Sequence, residues 1–206
     1  MKDSNKRVLD VYIAKLPSGD ISAPLIPEER EREVRSVRAD TVRREKYFVW
    51  RLLEHAILNS FEMDISSARL TKSNGGKWIS PYFYLSLSHS KDALAVAVST
   101  HPVGVDVEGL IEPRAQTFAV RVLNSAEYEQ YTQLDEESKT MFLTRCWTLK
   151  ESDFKRSNDS AFIPAAHTTV SADGFTDFIK INDRKYCISV SSELSDEISS
   201  LKWVTL

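Results

Sequence analysis

The chain has 206 residues, of which 42% are apolar, 10% aromatic and 28% charged, with 6 Gly and 7 Pro. This is the composition of a folded globular protein, and it excludes collagen-like, low-complexity and disordered classes. The length fits one large domain or two small, closely packed lobes. A formal net charge of -3 names no partner, and neither a nucleic acid nor a membrane is expected to be one. Cys146 and Cys187 stand far apart without metal-type spacing, and the opening MKDSNKRVLD has no apolar core of the signal-peptide kind. Both point to a reducing, cytoplasmic setting. No apolar run approaches the roughly 18 to 20 residues that cross a bilayer.

In chain order, residues 7–16 (RVLDVYIAKL) alternate as a strand does, and residues 16–27 (LPSGDISAPLIP) form a turn-rich connection. A helical region follows. Residues 28–38 are almost entirely polar or charged, whereas Val49, Leu52, Leu53, Ala56 and Ile57 recur at helical spacing and predict a buried face. The glycines of SNGGK (73–77) mark a turn. Residues 83–90 (FYLSLSHS) and 93–99 (ALAVAVS) predict a hairpin around Ser90, Lys91 and Asp92. Residues 103–108 (VGVDVE) predict another strand, a mixed helical region runs to about residue 155, and strands return at 168–181, 185–192 and near 200–206.

Charge is unevenly spread. Between Arg35 and Arg51 lie six basic residues, Arg35, Arg38, Arg43, Arg44, Lys46 and Arg51, against Asp40 and Glu45. By itself this reads as a solvated helix face balanced by the glutamates just upstream, or as a surface that meets an anion.

Two patterns carry chemistry. In GVDVEG (104–109), residues two apart on a strand share a face, so the carboxylates of Asp106 and Glu108 lie together. Adjacent anions raise one another's pKa unless a cation intervenes, and hard oxygen donors suit magnesium better than zinc. An exposed acidic pair on a strand has the same pattern. In CWTLKESDFK (146–155), helical spacing sets Trp147, Glu151 and Lys155 on one stripe. An ordinary surface ion pair beside a core tryptophan reads the same way.

The ordered set is more specific than its parts. SLSHS, then Gly104, Asp106 and Glu108, then Trp147, Thr148, Lys150, Glu151, Ser152 and Lys155, together resemble the 4'-phosphopantetheinyl transferase superfamily, in its surfactin-synthetase-activating branch. The likeness reaches back through Gly76, Lys77, Ser88 and His89 to the RREKYFVWRLL helix, and covers about residues 25–170.

The resemblance implies an α+β pseudo-dimer of two similar lobes, each a small antiparallel sheet packed with a long helix, with the active site between them. The N-terminal lobe, residues 1–102, would bind coenzyme A, and the C-terminal lobe, residues 103–206, would carry the metal-binding and catalytic motifs. Asp106, Glu108 and Glu151 would hold Mg2+. Glu151 and Lys155 would be catalytic, with Glu151 taking the serine proton directly or through a water on the metal. Arg43, Arg44, Arg51, Lys77, Ser88, His89 and Lys155 would bind the coenzyme. The implied activity is of the holo-[acyl-carrier-protein] synthase type: the 4'-phosphopantetheine arm passes to a serine of an apo acyl, polyketide or peptidyl carrier protein, and adenosine 3',5'-bisphosphate leaves. The chain's length further suggests a monomer.

Three departures from the family pattern stand out. RSNDSAFIP follows Lys155 where glycines are usual, Asp153 adds an anion to the catalytic helix, and Trp78 replaces the usual proline after Lys77. These keep open a coenzyme A or carrier-protein binding protein with weakened catalysis. A different magnesium-dependent nucleotide enzyme ranks behind both, since no GxxxxGK(S/T) loop or Rossmann glycine fingerprint is present.

Overall fold

Alternating residues of one strand can bury both faces of a sheet only if something covers each face, and the central hairpin of this protein is covered twice. The computed structural model describes residues 7–112, 116–157, 168 and 174–206. Its elements are β1 (Leu9–Lys15), α1 (Glu28–Ser36), α2 (Asp40–Phe61), β2 (Thr71–Lys72), β3 (Trp78–Ile79), β4 (Tyr84–Ser90) and β5 (Ala93–Ser99). There follow β6 (Gly104–Gly109), α3 (Gln116–Val122), α4 (Ser125–Thr132), α5 (Glu136–Arg156), β7 (Gly174–Ile181), β8 (Arg184–Ser191) and β9 (Lys202–Val204). The architecture is mixed α+β, with small sheets and helices. One sheet has the order β4-β5-β1-β9, another β6-β8-β7, and β2 pairs with β3 alone.

On β5, Leu94, Val96 and Val98 join Tyr12 and Ala14 of β1 in a core with Trp50, Leu52, Leu53, Ala56 and Ile57 of α2. The intervening Ala93, Ala95 and Ala97 join Val11 and Ile13 against Val105 and Val107 of β6 and Tyr186, Ile188 and Val190 of β8. Every residue of β5 is therefore buried. Alanine on the inner face lets the two sheets approach closely, while larger side chains fill the α2 side. The other face of β8 is covered by α5, so the layers run α2, four-stranded sheet, three-stranded sheet, α5. A third core, built on Val122, Leu123, Tyr131, Leu143 and Cys146, fixes α3 and α4 to α5.

The predicted strand at residues 7–16 and the hairpin both form, the former shorter and the latter beginning at Tyr84, and the strand expected at 103–108 forms one residue later. The helical region after residue 27 is two helices, because Val37 and Ala39 are extended. Of the strand expected at 168–181, residues 169–173 lie outside the described set and the rest forms β7. The final strand joins the sheet of the first half, where β9 runs parallel to β1 with Tyr12 opposite Lys202.

The junction of α1, α2 and β2 is electrostatic. Arg30 is 5% exposed, lies 4.8 Å from the Trp50 ring centre and contacts Glu33 at 3.1 Å. Lys72 and Lys46 approach the same carboxylate at 3.1 and 3.4 Å. Burial alone pushes the Glu33 carboxyl up, but Arg30 and Lys72 outweigh it and hold the group down at about 2. Its contribution is therefore fully present above the ordinary value of 4.5 and is lost as pH falls toward the folded value. Glu33→Gln leaves Arg30 buried without its counter-charge, and is expected to cost about 2 kcal/mol at neutral pH. In urea unfolding, the gap between the native and variant midpoints should narrow steadily as pH is lowered from about 5 to about 3; a gap independent of pH would overturn this account.

Candidate functional site

The site is built where β4, β6 and α5 meet. β6 is the outer strand of its sheet, so alternate N–H groups along it point away from β8 and need acceptors. The serines of β4 supply them. Ser86 Oγ accepts from Val105 N–H at 3.0 Å and Ser88 Oγ from Val107 N–H at 3.2 Å. The same row reaches the acids: Ser88 Oγ donates to Asp106 Oδ1 at 2.8 Å, and Ser90 Oγ to Glu108 Oε2 at 2.7 Å.

The third wall, α5, starts with Asp135 capping Ser138 N–H at 2.8 Å and ends with Lys155 and Arg156 in its last turn. Cations at a helix C-terminus are favourable there. Thr148 and Ser152, four apart, turn to β8 and meet Ser189 Oγ and Ser191 Oγ at 2.7 and 2.8 Å. Small side chains on both elements bring the helix down onto the sheet. At Gly104 it is so close that a Cβ would lie 1.8 Å from the Ser152 carbonyl oxygen and 2.6 Å from the Arg156 nitrogen. That contact is between backbones, so no side-chain rotation relieves it. The motif glycine is thus required by packing, and it sets how far α5 stands from the acids of β6.

Trp147, Glu151 and Lys155, the predicted stripe, line a small cleft of about 230 Å³ together with Ser88, His89, Asp106 and Glu108. Lys155 Nζ contacts Asp106 Oδ1 at 2.6 Å and Ser88 Oγ at 3.2 Å. Burial raises the pKa of Glu151, with the Asp106 charge adding to it. Burial also raises that of Glu108, where Asp106 adds and the Ser90 bond opposes. Beside this cleft lies a larger one of about 720 Å³, bordered by the 73–77 turn, Trp78, Leu87, Phe154 and Lys155. Lys155 and Leu87 belong to both walls. Lys77 donates to the Lys155 carbonyl, closing the C-terminus of α5, and its own pKa is lowered by burial and by the Lys155 charge.

Among the described residues, no three His, Cys, Asp or Glu side chains stand in a metal-coordinating array. The donor chemistry nevertheless fits a hard cation. Three carboxylates line one small space, and Asp106 Oδ2 is buried with no hydrogen-bond partner. Lys155 brings a single positive charge to them.

Other expected site residues lie elsewhere. Arg43 pairs with Asp40 and donates to the Val37 carbonyl between α1 and α2, while Arg44 donates to the carbonyls of Pro17 and Gly19 and so fastens the loop after β1; both border a separate hollow of about 550 Å³. Arg51 pairs with Glu54 and lines none of the three cavities. His89 is in the cleft, with Nδ1 3.0 Å from Glu45 Oε2, and burial followed by the Lys155 charge lowers its pKa to about 4. The motif residue Lys150 is buried and turned away, donating to the Val122 carbonyl at 2.7 Å and meeting Glu127 at 2.5 Å. Asp153 is held by Arg156 at 2.8 Å, so its charge is engaged there rather than by Lys155. The altered segment after Lys155 lies, from residue 158 on, outside the described residues. Sequence reasoning missed Glu45 and Phe154 as site residues, and took Trp78 only as a departure from the family pattern. Phe154 could have been found as an exposed aromatic next to the motif lysine; Glu45 carried no local signal.

Residues 102–201, which carry β6 and α5, match the model of the 4'-phosphopantetheinyl transferase superfamily. Within the superfamily the likeness is to the surfactin-synthetase-activating branch. The chain is 25% identical to 4'-phosphopantetheinyl transferase Sfp of Bacillus subtilis (strain 168) over 116 residues, 55% of this chain and 51% of that one. It is 28% identical to a 4'-phosphopantetheinyl transferase of Bacillus pumilus over 107 residues, 50% and 46% of the two chains. With 4'-phosphopantetheinyl transferase gsp of Aneurinibacillus migulanus the identity is 30% over 81 residues, 39% and 34%. The chain spans about half the length, or less, of the curated relatives it matches. No helix among the described residues is long and apolar enough to cross a membrane.

Packing at Gly104 makes a sharp prediction. Gly104→Ala should lower stability by about 3 kcal/mol, the upper end for overpacking, because the clash is with backbone. Gly109→Ala, whose Cβ would meet only the Tyr186 ring at 3.7 Å, should cost under about 1 kcal/mol. Equal denaturant midpoints for the two variants would refute the close approach of α5 to β6.

Proposed function

We propose that this chain transfers the 4'-phosphopantetheine arm of coenzyme A to a serine of an apo acyl, polyketide or peptidyl carrier protein and releases adenosine 3',5'-bisphosphate. The observation that carries this reading is the buried, unpartnered Asp106 Oδ2 in a cleft shared with Glu108, Glu151 and Lys155. Such a carboxylate set needs a cation, and a cation there needs an anionic ligand. The superfamily match and the three relatives named as transferases support the same reaction class.

Asp106, Glu108 and Glu151 would hold Mg2+, which when bound supplies charge neutralisation for a pyrophosphate undergoing displacement. Lys155, on the wall common to both clefts, would leave Asp106 for a phosphate oxygen and so brings the donor to the acids. The larger cleft, with Trp78 and Phe154 for apolar surface and Lys77 and Lys155 for charge, has the size and lining that a nucleotide portion requires. Ser88 and His89 complete the phosphate side; Arg43, Arg44 and Arg51 sit outside it and have at most a distant part. The serine oxygen forms a bond to the pantetheine-bearing phosphorus while the bond to the bridging oxygen breaks, and the electron pair leaves with the adenosine bisphosphate. Glu151 would take the serine proton, directly or through a water.

The wider reading includes two similar lobes, residues 1–102 and 103–206, with the site between them. It includes a monomer too, because one chain contributes every wall of the cleft. A cytoplasmic location accords with two free, buried cysteines. Purified protein offered coenzyme A, Mg2+ and each class of apo carrier should add one phosphopantetheine arm to at least one carrier, read by intact mass. Asp106→Ala and Glu151→Gln should each slow this by at least about 100-fold. Binding of coenzyme A with no mass gain on any carrier would instead favour a binding protein with lost catalysis.

A further inference from the structure

Glu45 lies on α2, among the basic residues that sequence reading would place before an anion, yet it is an acid whose side chain is only 15% exposed. It reaches across to β4, where Oε2 stands 3.0 Å from His89 Nδ1. Lys91 has φ of 52°, in the left-handed region that ordinary side chains avoid at a cost of about 1 kcal/mol, so the turn between β4 and β5 needs a restraint. One residue before it, Ser90 bonds to Glu108; one residue before that, His89 lines the carboxylate cleft. A side chain of α2 therefore meets the segment of β4 that faces the cleft.

Each ring nitrogen of a histidine has its role set by the partner of the other. A carboxylate on Nδ1 calls for a proton there, which leaves Nε2, without a hydrogen bond among the described residues, for the cleft. We propose that Glu45 is a positioning residue: it orients the His89 ring with Nδ1 on α2 and Nε2 toward the cleft. This contact does not require Glu45 to touch a ligand. The inference rests on the proposed function only where it names what Nε2 meets, a phosphate group of coenzyme A, to which Nε2 donates once the anion brings the ring a second proton.

Two variants and two readouts test it. In long-range proton–nitrogen spectra of the free protein, His89 should carry its proton on Nδ1. Glu45→Leu should shift it to the Nε2 form usual for free imidazole, and Glu45→Gln, which keeps an acceptor, should not. In coenzyme A titrations, Glu45→Leu should weaken binding about tenfold and Glu45→Gln less than about threefold, and in turnover KM should rise by more than kcat falls. The proposal is overturned if native His89 is protonated on Nε2, or if Glu45→Leu leaves both ring and affinity unchanged. Should Glu45→Leu not fold, the native tautomer and the Glu45→Gln variant decide alone. If the ring responds as described while the native protein binds no coenzyme A, the placement of Glu45 stands and the proposed function fails by itself.

Discussion

The exposed edge of β6 is the constraint from which the site follows. A strand that carries two acids on one face and two valines on the other still has backbone N–H groups directed sideways, and leaving those unpaired between two packed sheets would cost about 1–3 kcal/mol each. β4 meets them with hydroxyls rather than with its own backbone. A serine hydroxyl both accepts and donates, so Ser88 takes the Val107 N–H and gives its own proton to Asp106. Joining the sheets and orienting the acid are one interaction. Alanine or valine at these places would keep the strand but lose both.

A second polar layer lies behind the first. Thr148 and Ser152 pair with Ser189 and Ser191, and Gly104 offers no side chain at all, so α5 settles on β6 and β8 with little between them. Burial then acts on the titrating groups. Glu108 and Glu151 are raised, and His89 is lowered, chiefly by the loss of water. With three carboxylates and one lysine lining it, the electrostatic balance of the cleft depends on what else enters it, whereas at the α1–α2 junction the single Glu33 carboxylate is met by Arg30, Lys72 and Lys46.

What was legible in the sequence was short in range. The two acids share a strand face, and Trp147, Glu151 and Lys155 share a helix stripe; each follows from a period of 2 or 3.6 and needs no knowledge of the fold. The hairpin was legible too, because its alternation ends at Ser90, Lys91 and Asp92. Residues whose partners lie far along the chain were opaque. Arg44 has the composition of an anion site, but its partners are the carbonyls of a loop that only the tertiary fold brings near. Lys150 sits inside the motif and points away from the cleft, since its place on the helix turns it toward α3 and α4. Glu45 could not be separated from a solvated acid until β4 lay beside α2.

The parallel pairing of β9 with β1 has a consequence for the order in which the molecule assembles. Tyr12 and Lys202 stand side by side, so that contact closes almost the whole chain into one loop. Loop closure grows only slowly in cost with length, but it slows folding, because the reward comes after nearly everything between has collapsed. The β4–β5 hairpin and the β7–β8 hairpin are local and can form early. The first sheet therefore waits for the second half of the chain to supply its edge, and a ribosome-bound first half has its β1 edge open until the last strand is made.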